Sequence, residues 1–165
     1  MSSVIALLRS RGVRLASVAL AMMLLASPVL GVQAQWGGTL QAPIQAVSGA
    51  VLGTATFTAG SAGAVTVRVQ ANGFDPIAGS HRVAITNVGN CCAPYYTCAG
   101  QEVLVLPEMQ FFANGSVDYM ATANLNLDWL MRGYGAAIVI HADTNAASAV
   151  IGCGVIGKGA SRRPK

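Results

Sequence analysis

The sequence predicts an all-β domain, a sandwich or barrel of about eight short antiparallel strands. Three observations lead there. Runs rich in Val, Ala, Thr and Ile alternate apolar with polar side chains over strand length. Turn signals built from Gly, Asn-Gly and Pro recur between those runs. No helical period of useful length and no internal repeat interrupts them. Charged residues make up only 10% of the chain while Gly contributes 19 positions, a composition that suits strands joined by turns.

Taken in order, residues 1–34 read as a secretory signal. Arg9, Arg11 and Arg14 give a positive leader, an apolar stretch follows over 15–30, and Pro28 and Gly31 break it. Val32-Gln33-Ala34 then offers a peptidase site of the usual small-residue kind. An uncleaved membrane anchor is the competing reading, but the apolar run falls short of the roughly 20 residues that span a bilayer. No adjacent arginines mark the twin-arginine route in this leader, so general secretion is expected. Residues 35–49, rich in Gly, Gln, Ala and Pro, read as a flexible lead-in. The β domain is assigned to 50–158 and a solvated basic tail to 159–165.

Within the domain, Thr54, Thr56 and Thr58 alternate with Ala55 and Phe57, and Val65, Val67 and Val69 alternate with Thr66, Arg68 and Gln70. The glycines at 60 and 63 lie between these runs, which therefore pair as a hairpin. Asn72-Gly73 and Asp75-Pro76 mark the next turn. A third strand over 80–88 places Val83 and Ile85 toward the core and Arg82, Ala84 and Thr86 outward. Residues 89–101 form a loop with three cysteines and Tyr95-Tyr96, followed by an apolar run at 103–106, Pro107 and Phe111-Phe112. Asn114-Gly115 is a hairpin turn signal. Val117, Tyr119, Ala121, Ala123, Leu125, Leu127 and Trp129 then share one parity until Gly133-Tyr134-Gly135. Ala136–His141 and Val150–Ile156 are the last strands.

Charge excludes one class of partner. Without the signal, seven Lys and Arg face six Asp and Glu, and four of those cations crowd into the last eight residues. The basic balance of the whole chain therefore reflects its two ends, not a nucleic-acid surface. Membrane contact is expected only through the signal segment. The scattered acidic residues read as a solvated surface. All four cysteines, Cys91, Cys92, Cys98 and Cys153, lie in the mature part, and an even count in an exported domain favours disulfides. Spacing alone leaves every pairing open.

Two segments carry a family resemblance. Gly79-Ser80-His81-Arg82-Val83-Ala84-Ile85-Thr86-Asn87-Val88-Gly89-Asn90-Cys91 resembles the copper/zinc superoxide dismutase segment Gly-x-His-Gly-Phe-His-Ile-His-x-x-Gly-x-Cys, and Cys153-Gly154-Val155-Ile156-Gly157 resembles that family's terminal Cys-Gly-Val-Ile-Gly. Ala137-Ile138-Val139-Ile140-His141-Ala142-Asp143 is similar to its late strand ending in a copper-binding histidine, and Gly53-Thr54-Ala55-Thr56-Phe57 to its opening strand. The match runs in order over roughly 50–158 and implies a Greek-key β-barrel of about eight strands.

The same alignment argues against dismutase activity. Ala84 and Thr86 stand where the family has its first two copper ligands, and neither replaces an imidazole. No histidine lies between Arg82 and Ile140, so the bridging and zinc-ligand histidines have no counterpart. Val105 in Leu104-Val105-Leu106-Pro107 replaces the zinc-binding carboxylate, and Val150 occupies the place of the guiding arginine. The stretch from His141 to Cys153 is too short for the family's electrostatic loop. Only His141 remains at a copper-ligand position. One imidazole does not hold a redox copper, and His81 and His141 are expected to be packed or hydrogen-bonded histidines. The resemblance further implies a Cys91–Cys153 disulfide. Cys92 and Cys98 have no family counterpart, and a local bridge between them would rigidify the shortened loop.

Other signals are set aside. Residues 152–159 nearly spell a phosphate-binding loop but lack the Ser or Thr after Lys158 and a following helix. Asn114-Gly115-Ser116 is a glycosylation sequon whose turn role suffices. The expectation is a secreted or periplasmic, noncatalytic superoxide dismutase-like domain, a structural or binding module of the cell envelope. Its partner would be a protein or envelope component, with a homodimer as a further option and no cofactor. The alternative is a residual copper- or zinc-binding or superoxide-consuming role.

Overall fold

The computed structural model describes residues 38–75 and 78–157. The signal at 1–34, the basic tail at 159–165 and Pro76 of the Asp75-Pro76 turn signal lie outside the described residues. Eight strands form one antiparallel sheet: β1 (Thr39–Ala46), β2 (Val51–Ala59), β3 (Ala64–Ala71), β4 (Gly79–Thr86), β5 (Glu102–Phe111), β6 (Val117–Asn124), β7 (Ala136–His141) and β8 (Val150–Ile156). Their order across the sheet is β5-β4-β7-β8-β1-β2-β3-β6, with connections that leave and rejoin it in Greek-key fashion. The sheet curls into a nearly closed barrel. Its two edges, β5 and β6, come side by side without a hydrogen-bond ladder between them among the described residues.

Alternation explains the inside of the barrel. Val65, Val67, Val69 and Ala71 of β3, Val117, Tyr119, Ala121 and Ala123 of β6, and Val83 and Ile85 of β4 all point into one apolar core with Phe57, Ile44 and Ile138. The period-2 pattern is unbroken along β6, where every second residue is buried and the others are exposed. A short helix, α1 (Leu127–Leu130), follows β6. The Asn126 side chain caps it by accepting from the Asp128 amide at 2.8 Å. The common parity expected through Trp129 therefore stops at β6. Leu127 and Leu130 are buried at helical spacing, and Trp129 is left exposed.

Three sequence expectations need correction. The lead-in assigned to 35–49 contains β1, which pairs with β2 along its length and with β8 through Gln45 and Ala46. Ala42 and Ile44 are fully buried, so β1 is integral to the barrel, and the segment around Gly53 is its second strand, not its opening one. The outward face of β4 is not solvated either. Ala84 and Thr86 are buried beneath the cysteine loop, in a second apolar cluster of Ala84, Tyr96, Ala99, Ala137, Val139 and Cys153. Finally, Asn114-Gly115 does make a turn, closed by Phe112 N donating to Ser116 O at 3.0 Å, but the strands it joins are the two sheet edges. Gly115 adopts φ 72° and a Cβ there would strike the Phe74 carbonyl, which is why glycine stands there.

Two disulfides shape the cysteine loop. Cys91–Cys153 ties it to the middle of β8 and closes 62 residues of chain. In loop-entropy terms a span of that length is worth about 4 kcal/mol. Cys92–Cys98 closes a short ring of loop on itself. At the opposite seam the Tyr119 hydroxyl donates to the Pro107 carbonyl at 2.8 Å, tying the two edge strands together.

Candidate functional site

The outer face of β4, β5 and β7 gathers the polar side chains that the alternation directs away from the core. Arg82 on β4, Glu102 at the start of β5 and His141 at the end of β7 meet there. Arg82 donates to the Glu102 carboxylate through Nη2 at 2.6 Å and Nε at 3.1 Å, a two-pronged ion pair with both side chains 23% exposed. His141 Nε2 lies 2.9 Å from Glu102 Oε1, and its Nδ1 is 3.1 Å from the Ser148 carbonyl. Hydrogen bonding from Arg82 first, and then the charges of Arg82 and His141, hold the Glu102 carboxyl below the usual carboxylate range against the opposing effect of burial. The 142–149 segment is fastened to the same cluster, because the Arg82 amide donates to the Asp143 carbonyl at 2.8 Å.

His81 sits on the other face of β4. It is buried, stacks on Phe111 at 4.1 Å between ring centroids, and its Nδ1 is 2.9 Å from the His141 carbonyl oxygen. A carbonyl only accepts, so that ring nitrogen donates. The two histidines are thus linked through the backbone of β7, while their rings serve opposite sides of the sheet.

A groove of about 800 Å³ opens above this cluster. Thr86, Glu102 and His141 lie at its base, and Tyr95, Val47, Val150 and Ile151 give it largely apolar walls. Thr86 Oγ1 donates to the Ala137 carbonyl at 3.3 Å.

A copper or zinc ion is what the resemblance would place here, and the side chains do not fit one. Among the described residues no group of three or more His, Cys, Asp or Glu comes together. Ala84 and Thr86 offer no nitrogen, and Val105 no carboxylate. Each His141 ring nitrogen already faces an oxygen partner, so a metal would have to displace one of them. All four cysteines are in disulfides.

Sequence reasoning singled out His141, Cys91, Cys153, Cys92 and Cys98, and the structure places all five around this face. It missed Arg82 and Glu102 as partners of His141. Glu102 had been read with the scattered surface acids; it is instead half-buried and doubly paired. The signal that could have found it is its place beside the cysteine loop, at the mouth of a strand opposite Thr86.

No protein-family model matches the sequence, and neither does any curated protein. Solved structures do match. A superoxide dismutase-like protein from Bacillus subtilis superposes with a TM-score of 0.60 at 19% identity, over 70% of this chain and 96% of that one. The Cu/Zn superoxide dismutase from Brucella abortus gives 0.54 at 16% identity, over 73% and 100%. The clock protein EA4 gives 0.53 at 18% identity, over 72% and 93%. At such identities the likeness concerns architecture, and on strand order, barrel and superposition together the chain has the copper/zinc superoxide dismutase-like fold.

Proposed function

We propose that this chain is an exported, noncatalytic superoxide dismutase-like domain that acts as a binding or structural module of the cell envelope. One observation carries the reading: the side chains at the fold's copper-ligand positions are buried and already engaged by other protein groups. Tyr96 and Ala99 pack on Ala84, Thr86 bonds to the backbone, and His141 is engaged by Glu102 and Ser148. Two disulfides and no free cysteine among the described residues suit an oxidising compartment outside the cytoplasm, in line with the leader at 1–34. The apolar groove above the cluster supports a binding role over a purely mechanical one.

The test is direct. The mature chain is loaded with copper and zinc, dialysed, and assayed for bound metal and for superoxide consumption. Neither stoichiometric metal nor turnover is expected. Copper with turnover overturns the proposal, and copper without turnover replaces it with a residual metal role centred on His141. Capture from envelope extract, with the groove variant Tyr95→Ala as control, then identifies the partner.

A further inference from the structure

We infer that Cys92–Cys98 is a reducible bridge, opened by an external dithiol while Cys91–Cys153 stays closed, and that its opening unseats Tyr96 from the wall of the groove. The inference stands apart from the metal and envelope reading above.

The two bridges start from adjacent residues but end in different surroundings. Cys153 is fully buried in the outer apolar cluster with Ala84, Ala137 and Val139. Expelling a thiolate there would place an unsolvated charge among methyl groups. Cys92 and Cys98 are both half-buried on the loop, within reach of solvent and reductant. Their sulfurs are also served by backbone donors: the Cys92 amide donates to Cys98 Sγ at 2.8 Å and the Cys98 amide to Cys92 Sγ at 3.2 Å. Those N–H groups would hold the negative charge of whichever sulfur leaves. Cys91 is half-buried as well, but attack on it would expel the buried Cys153 sulfur, so the leaving group favours the short bridge, both of whose sulfurs lie within reach.

The step balances as an ordinary exchange. A thiolate of the dithiol attacks one sulfur of Cys92–Cys98, forming a mixed disulfide and releasing the other sulfur as a thiolate that takes up a proton. The second thiol of the reductant then displaces the remaining sulfur. The dithiol is oxidised to its disulfide, and two cysteine thiols are left on the loop.

Tyr96 gives this chemistry a consequence. It lies within the ring that Cys92–Cys98 closes, and it sits in the left-handed region at φ 53° and ψ 21°, unfavourable for a bulky residue. Such a conformation persists only where its surroundings over-determine it. Here the constraints are the bridge, Tyr96 N donating to Cys92 O at 2.8 Å, and, from outside the ring, the Tyr96 hydroxyl donating to Gln45 O at 3.0 Å, Ala99 N donating to Tyr96 O at 3.1 Å and burial of the ring in the outer apolar cluster. Opening the ring removes the first and loosens the second. Tyr96 lines the groove and covers Ala84, so its release reshapes both.

The exported chain is titrated with dithiothreitol, quenched with an alkylating agent and mapped by peptide mass. A species alkylated at Cys92 and Cys98 alone is expected, at a reductant concentration roughly tenfold below that which labels Cys91 and Cys153. Amide hydrogen exchange over 95–99 should accelerate in that species, while β7 and β8 keep their protection. The Cys92→Ser/Cys98→Ser variant, which needs no reductant, should show the same local exchange. Labelling of Cys91 and Cys153 first or simultaneously overturns the inference. So does a two-thiol species, or the serine variant, whose 95–99 amides exchange as slowly as in the oxidised protein.

Discussion

His141 and Glu102 stand 39 residues apart in the chain, yet Nε2 of the one lies 2.9 Å from Oε1 of the other. The contact joins the last residue of β7 to the first of β5 across β4, and Arg82 on β4 completes it. Glu102 is the hub, because it alone touches both partners. Replacing it with Gln keeps the size but removes the charge that Arg82 and His141 share. Glu102→Gln is expected to lower stability by about 1–2 kcal/mol, the range for a half-buried charged hydrogen-bond pair. Urea unfolding at neutral pH, with an unchanged slope and a lower midpoint, checks it.

The same carboxylate sets an acid limit. Its proton is held less tightly in the folded chain than in the unfolded one, where the usual value is 4.5. The stabilisation is therefore full above that value and is lost as pH falls through the lower folded one. Asp118, held down chiefly by its hydrogen bond from Arg68, acts in the same direction from the exposed surface. Urea midpoints measured from pH 6 down to pH 3 should fall for the natural protein and fall less steeply for Glu102→Gln. Parallel curves would remove Glu102 as the cause.

At the alkaline end the seam tyrosine governs. Burial pushes the Tyr119 phenol from 10.0 up to about 12. A folded value above the unfolded one contributes stability that is complete below pH 10 and drains away as pH rises toward 12. Burial raises Tyr96 as well, so part of the loss belongs to the cysteine loop. Tyr119→Phe should cost about 1 kcal/mol at neutral pH, for the lost bond to Pro107, and should flatten the alkaline decline. Thermal midpoints at pH 8 and pH 10.5 separate the two effects.

Gly53 has no room for a side chain. A Cβ there would run into the Gln70 carbonyl and Ala71, at the end of the β3 strand with which it pairs. These are main-chain atoms that cannot rotate away. Gly53→Ala is expected to destabilise by more than about 2 kcal/mol, an overpacking cost, or to prevent folding altogether. Gly49→Ala is the control for the loss of a glycine as such. No atom lies within 4 Å of a Cβ there, although its φ of 83° still adds a local strain. Expression yield and chemical denaturation of the two variants decide the comparison.

Much of the fold was legible because alternation is a local property. Strands β3, β6 and β8 follow directly from which residues are apolar, and β7 from an uninterrupted apolar run. β1 was not legible, because its buried face consists of only Ala42 and Ile44, with a proline between them. Such a strand is identified by its neighbours β2 and β8, not by its own composition. The site divides in the same way. His141 and the cysteines stand out because few residues of their kinds occur, whereas Glu102 is one carboxylate among several and acquires its role only when β4 brings Arg82 beside it. The burial of Ala84 was equally hidden, since its cover is a loop whose path depends on two disulfides.

The seam between β5 and β6 has a bearing on how copies of this chain meet one another. An unpaired strand edge is a template on which another chain can add a strand, and this sheet has two such edges. Pro107 removes a donor from one of them, and the Tyr119 hydroxyl occupies the carbonyl beside it. Each edge thereby blocks the other. Protection of this kind against strand addition comes from the backbone and one hydroxyl, and asks nothing of surface charge.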